Sequence, residues 1–110
     1  MKPLEAPAGH EWLFVYGTLR QPALQVELVG RQLPGEPDAL DGYRRHDHYA
    51  YPVALPEIGA QLDGLCLAVT PAELALLDAY EGEDYLRLRV QLRSGRSAWF
   101  YRGNPQVYGR

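Results

Sequence analysis

The stretch that most constrains this chain is Phe14-Val15-Tyr16-Gly17-Thr18-Leu19-Arg20. An apolar run, Trp12 to Tyr16, enters a glycine turn directly and is expected to form the first strand. A strand that stops at Gly-Thr leaves the next backbone N–H groups without ladder partners. Gly17 lacks a Cβ and can take φ > 0, so a ligand can approach the backbone closely. Consecutive free N–H groups at such a turn make a concavity suited to a carboxylate or an oxyanion. The same letters also describe an ordinary strand-to-loop turn. What separates the two readings lies downstream, at Glu81.

A chain of 110 residues corresponds to one domain, with no linker and no internal repeat. A net charge of -3 gives no basic footprint for nucleic acid. No apolar run reaches membrane-spanning length, so no membrane partner is expected. Residues 1–10 lack the apolar core of a signal peptide and are expected to be a disordered leader ahead of a single domain over 11–110. One cysteine excludes an internal disulfide and fits a reducing, cytoplasmic setting.

Along the chain, Glu11 to Tyr16 is the first strand. A short helix is expected after Arg20-Gln21-Pro22, with Leu24, Leu28 and Val29 on one face and Gly30 ending it. Leu33 to Ala39 carries three prolines or glycines and reads as an irregular connection. Leu40 to His48 is a candidate strand. Tyr51 to Leu55 is an apolar run that Pro52 confines to an edge or a loop. Pro56-Glu57-Ile58-Gly59 is turn chemistry. Gln61 to Val69 is a good central strand, with a bulge expected at Asp63-Gly64. Thr70-Pro71-Ala72-Glu73 matches a capping box with proline at N1. The helix it opens places Leu74, Leu77 and Tyr80 at core spacing, with Leu76 beside them, and stops at Glu81-Gly82. Tyr85 to Leu92 alternates as a half-buried strand. Ser94-Gly95 turns it into a returning strand, Ser97 to Tyr101. Gly103 to Arg110 is a polar tail. The sum is α+β, with a curved or closed sheet.

Several side chains invite chemistry. His46 and His48 share a strand face, but no third metal ligand is evident and a solvated surface is the stronger reading. Cys66 lies in an apolar strand and is expected to be a packed thiol. No Gly-x-Ser-x-Gly elbow is present. Arg87, Arg89, Arg93 and Arg96 are expected on a solvated hairpin face, from which Arg87 or Arg89 could support Glu81. Glu81 itself ends a helix, where unpaired carbonyls disfavour a second negative charge. Burial among Leu77, Tyr80 and Tyr85 would raise its pKa further, towards that of a useful base.

Tyr16-Gly17-Thr18-Leu19, followed by Leu77-Asp78-Ala79-Tyr80-Glu81-Gly82, resembles the γ-glutamylcyclotransferase-like (AIG2-like) family. Gly42-Tyr43, Tyr51-Pro52, Gly64-Leu65-Cys66-Leu67 and Ala98-Trp99-Phe100-Tyr101 extend the likeness across residues 12–102. The resemblance implies a small mixed closed β-barrel flanked by helices, with a pocket where the tyrosine-glycine turn meets the end of the main helix. It implies cyclisation of a γ-glutamyl group to 5-oxoproline with release of the amine. In that reading Glu81 is the catalytic base and acid. Tyr16, Gly17, Thr18 and Leu19 bind substrate, and Tyr85 and Tyr101 line the pocket. The partner is a small γ-glutamyl molecule, and neither metal nor cofactor is called for.

The chemistry is physically reasonable for these residues. The α-amine of a γ-glutamyl compound closes a five-membered ring on its own γ-carbonyl, so proximity replaces a protein nucleophile. A base must take the amine's proton, and donors must meet the oxyanion. Residues 17–19 could meet either the oxyanion or the substrate α-carboxylate. The alternative is a binding or regulatory module that kept the pocket and lost turnover.

Overall fold

The computed structural model describes residues 4–110; Met1 to Pro3 lie outside the described residues. Part of the expected leader therefore cannot be placed. Within the rest of it, the Leu4 carbonyl accepts a hydrogen bond from the Trp12 indole at 2.7 Å.

Five strands form one sheet in the order β2-β3-β1-β5-β4. β1 (Glu11–Val15) is the middle strand, antiparallel to β3 (Val53–Val69) and parallel to β5 (Ser97–Gly103). Its position explains the unbroken apolar run, since Leu13, Phe14 and Val15 are all buried. β2 (Gly35–His46) and β4 (Tyr85–Gln91) are the edges, paired antiparallel to β3 and β5. Two core clusters form on opposite faces of β1. One gathers Leu13 and Val15 with Leu74 and Leu77 of α2 (Pro71–Glu81); the other gathers Phe14 with Leu62, Cys66 and Phe100.

The sheet is not closed into a barrel, contrary to the expectation from the resemblance. Other contacts link strands that are not neighbours in it. At one end Tyr16 Oη donates to the Tyr101 carbonyl at 2.6 Å and accepts from the Ala54 amide at 3.1 Å. A phenol thus ties β3 to β5, which β1 separates in the strand order. At the other end the β4–β5 turn meets β2, with Arg93 N donating to the Ala39 carbonyl at 2.9 Å.

The β2–β3 hairpin departs most from the sequence reading. Leu33 to Ala39 is not an irregular connection, because Gly35 onwards is strand. Nor is Pro56–Gly59 a chain reversal between separate elements, because β3 runs continuously from Val53 to Val69. The register nevertheless breaks here: Asp41 pairs with Gln61 and Tyr43 with Pro56, so residues 57–60 face Gly42 alone. Gly42 (φ 89°) and Gly59 (φ 83°) supply the left-handed backbone that this bend requires. No bulge occurs at Asp63-Gly64, which pair regularly with Ala39 and Asp38. Gly64 is needed for clearance instead, since a Cβ there would lie 2.3 Å from the Val15 carbonyl oxygen.

The helices follow their local signals. α1 (Pro22–Val29) ends at Gly30 in the left-handed region, φ 83°. α2 has its capping box formed in both directions between Thr70 and Glu73. Glu73 also receives a two-pronged ion pair from Arg31, at 2.7 and 2.9 Å, which ties α2 to the end of α1. The polar tail contains a short helix, α3 (Pro105–Tyr108), capped by Asn104.

Candidate active site

The site lies where β1 ends and α2 ends. The burial that places Leu13, Val15, Leu74 and Leu77 in one cluster brings these two ends together. A cavity of about 230 Å³ opens between them. Tyr16, Gly17, Thr18 and Leu19 form one wall, Glu81 and Tyr85 another, and Tyr101 joins from β5. The structure thus brings every residue named from sequence as catalytic or substrate-binding to one cavity.

Glu81 is the last residue of α2 and is half-buried. Among the described residues its carboxylate has no hydrogen-bond or ion-pair partner. Burial raises its pKa from 4.5 to about 7. The helix-end effect anticipated from sequence is not needed to explain that shift. Arg87 and Arg89 do not support Glu81, contrary to expectation. Arg87 Nε pairs with Asp78 Oδ1 at 2.9 Å, and Arg89 with Glu11 at 3.3 Å. Both guanidinium groups instead lie 4.2 Å from the centre of the Trp99 ring, which draws them away from the cavity. Without a cation beside it, Glu81 keeps its raised pKa.

Opposite Glu81, residues Thr18–Arg20 make a single 3-10 turn. The N–H groups of Gly17, Thr18 and Leu19 find no acceptor among the described residues. Gly17 does not use the positive φ anticipated for it; its φ is -121°. Its closest neighbour is Pro52, whose Cβ would sit 3.4 Å from an added Cβ.

The tyrosines shape the cavity. Tyr85 Oη donates to the Pro52 carbonyl at 2.8 Å, holding the 47–52 loop against the site. Tyr101 Oη donates to Asp78 Oδ1 at 2.7 Å. Tyr16, Tyr85 and Tyr101 all have pKa values raised by burial, so each phenol stays protonated. Their hydroxyl protons are directed to protein acceptors, which makes them walls and braces.

Comparison with known proteins places this geometry. The family model described as gamma-glutamyl cyclotransferase, AIG2-like, matches residues 13–109. The chain belongs to that family. It is 30% identical over 115 residues to Protein AIG2 C of Arabidopsis thaliana, covering 94% of this chain and 69% of that protein. It is 34% identical to protein ytfP of Escherichia coli, whose solution structure superposes with a TM-score of 0.62 over 89% of this chain and 87% of that one. A solved gamma-glutamyl cyclotransferase superposes with a TM-score of 0.72 over 86% of this chain and 67% of that one. At 12% identity that last likeness concerns the fold alone.

In this AIG2-like chain Tyr80, expected beside Glu81, also lines the cavity, as do Tyr51, Pro52 and Asp84. Asp84 could have been suspected from its place three residues after Glu81. Asp78 was overlooked as the anchor of Tyr101, although it stands one helical turn before Glu81. The other candidates have structural settings. Cys66 is fully buried, and burial pushes its thiol up to about 12. His46 and His48 pack edge to face, 5.7 Å apart, and no cluster of three metal-ligating side chains occurs among the described residues. Arg96 is not on a solvated face: it is 2% exposed and paired with Glu36 and Asp38. No helix among the described residues is long and apolar enough to cross a membrane.

Proposed function

We propose that this protein is a γ-glutamylcyclotransferase acting on a small γ-glutamyl donor. The substrate α-amine attacks its own γ-carbonyl carbon. A C–N bond forms to that nitrogen and the C–N bond to the leaving amine breaks, giving 5-oxoproline. Glu81 takes the proton from the attacking nitrogen and returns it to the departing one. No water is consumed and no metal is required by the step. The amides of residues 17–19 meet the developing oxyanion or the α-carboxylate.

The single observation that carries this reading is the unpartnered Glu81 carboxylate, raised to about 7, in a cavity it shares with the free amides of residues 17–19. A base with a pKa near the working pH suits proton transfer in both directions. A module that only binds has no use for such a group.

The test is incubation with γ-glutamyl dipeptides and γ-glutamyl amines, followed by mass spectrometry for 5-oxoproline. Release by the wild type and a loss of roughly 10²–10⁴-fold in Glu81→Gln is the expected result, the usual range for a lost general base. Binding without release from any donor would make the protein a binding module instead.

A further inference from the structure

Among the described residues, those lining the cavity that holds Glu81 are apolar, aromatic, hydroxylic or acidic, and none is basic. Just beyond it lies a second, more open groove, with Tyr85 and Tyr101 in the walls of both. Gly82, the residue after Glu81, also lines the groove. Among the described residues, Arg87 is the sole basic one lining either space.

Arg87 is held there from two sides. Its Nε pairs with Asp78 Oδ1 at 2.9 Å, and its guanidinium plane rests on the Trp99 ring at 4.2 Å. These contacts occupy one edge and one face of the fork. Among the described residues its two terminal nitrogens donate no hydrogen bond. A fixed guanidinium with free terminal N–H groups is the standard geometry for receiving a carboxylate through two parallel hydrogen bonds. The Asp78 oxygen that faces Arg87 accepts its hydrogen bond from Tyr101 Oη, at 2.7 Å.

Resting on the cyclisation reading above, we infer that this groove receives the leaving amine and that Arg87 selects donors whose leaving amine carries a carboxylate. The glutamyl moiety occupies the cavity beside Glu81. The rest of the donor passes Tyr85 and Tyr101 into the groove, where its carboxylate meets the terminal nitrogens of Arg87. Arg87 is thereby a specificity-determining residue and takes no part in proton transfer.

The test uses two donors that differ in one charge, γ-glutamyl-glycine and γ-glutamyl-glycinamide. The ratio of their kcat/KM values is read by 5-oxoproline release, for the wild type, Arg87→Gln and Arg87→Lys. The wild type should favour the carboxylate donor by about 10–100-fold, the range for one charge-assisted pair at a partly exposed site. Arg87→Gln should bring the ratio to near one, and Arg87→Lys should keep part of it, mainly as a KM effect. A ratio near one or inverted in the wild type overturns the inference, as does a ratio unchanged in Arg87→Gln. Calorimetric binding of the same donors to Glu81→Gln separates the two proposals. A carboxylate preference in binding without turnover by the wild type upholds the groove and sinks the cyclisation; equal binding with turnover does the reverse.

Discussion

Glu81 loses solvent on folding without gaining a partner, and this has a thermodynamic sign. An acid whose pKa rises from 4.5 to about 7 binds more protons folded than unfolded between those values. Its contribution to stability therefore falls as pH rises through that window, and the penalty is complete above it. Glu81→Gln removes the penalty. The variant should gain on the wild type between pH 4 and pH 8 by roughly 1–3 kcal/mol, a value discounted because the carboxylate still touches solvent. Thermal denaturation of both proteins at the two pH values checks this; a constant difference would mean that Glu81 is not desolvated. Tyr16 carries the opposite obligation. Its hydroxyl serves the Tyr101 carbonyl and the Ala54 amide, both from positions in the core. Tyr16→Phe should cost about 1–3 kcal/mol in denaturant unfolding, the usual penalty for orphaned buried groups. Glu81 was legible as a candidate through the resemblance carried by Tyr80-Glu81-Gly82, since a glutamate before a helix-ending glycine is by itself usually solvated. That Tyr16 braces the sheet was not, since its two partners lie 38 and 85 residues away.

Among the elements, α2 was the most readable because its signals are local. Thr70, Pro71 and Glu73 specify its start, and Gly82 its end, with no help from distant residues. Thr70→Ala should lower stability by about 1 kcal/mol, the usual value of an N-cap, measured by thermal melting. The β2–β3 hairpin was the least readable. Pro34, Gly35 and Pro37 look like a connection, yet β2 is an edge strand, where a missing N–H is tolerated. Pro56–Gly59, which reads as turn chemistry, is a change of register within one strand, opposite Gly42. The alternation in β4 overstated its burial, for Leu86 remains 41% exposed.

For the molecule as a whole, α+β was legible and closure was not. Whether five strands complete a barrel depends on pairings between residues far apart, which no local pattern encodes. The open side is secured by Arg96, which is 2% exposed, as is the side chain of Asp38 that it pairs with at 3.2 Å. Its NH2 reaches Glu36 at 2.9 Å, so the β4–β5 hairpin is bound to the first residues of β2. Arg96→Met would leave Asp38 as a buried charge. The expected loss is about 3–5 kcal/mol in chemical denaturation, and Asp38→Asn in the same background should recover part of it.

The parallel pairing of β1 with β5 has a consequence for how the chain comes into being. β1 is made before its partners and must wait for Leu65 to Val69 before it gains one neighbour, and for Trp99 and Phe100 before it gains the other. Until then its apolar side chains have little to cover them, a form of delay that exposes nascent chains to chaperones. Tyr101 arrives only with that last neighbour, so a growing polypeptide cannot complete the walls of the cavity before β5 has emerged.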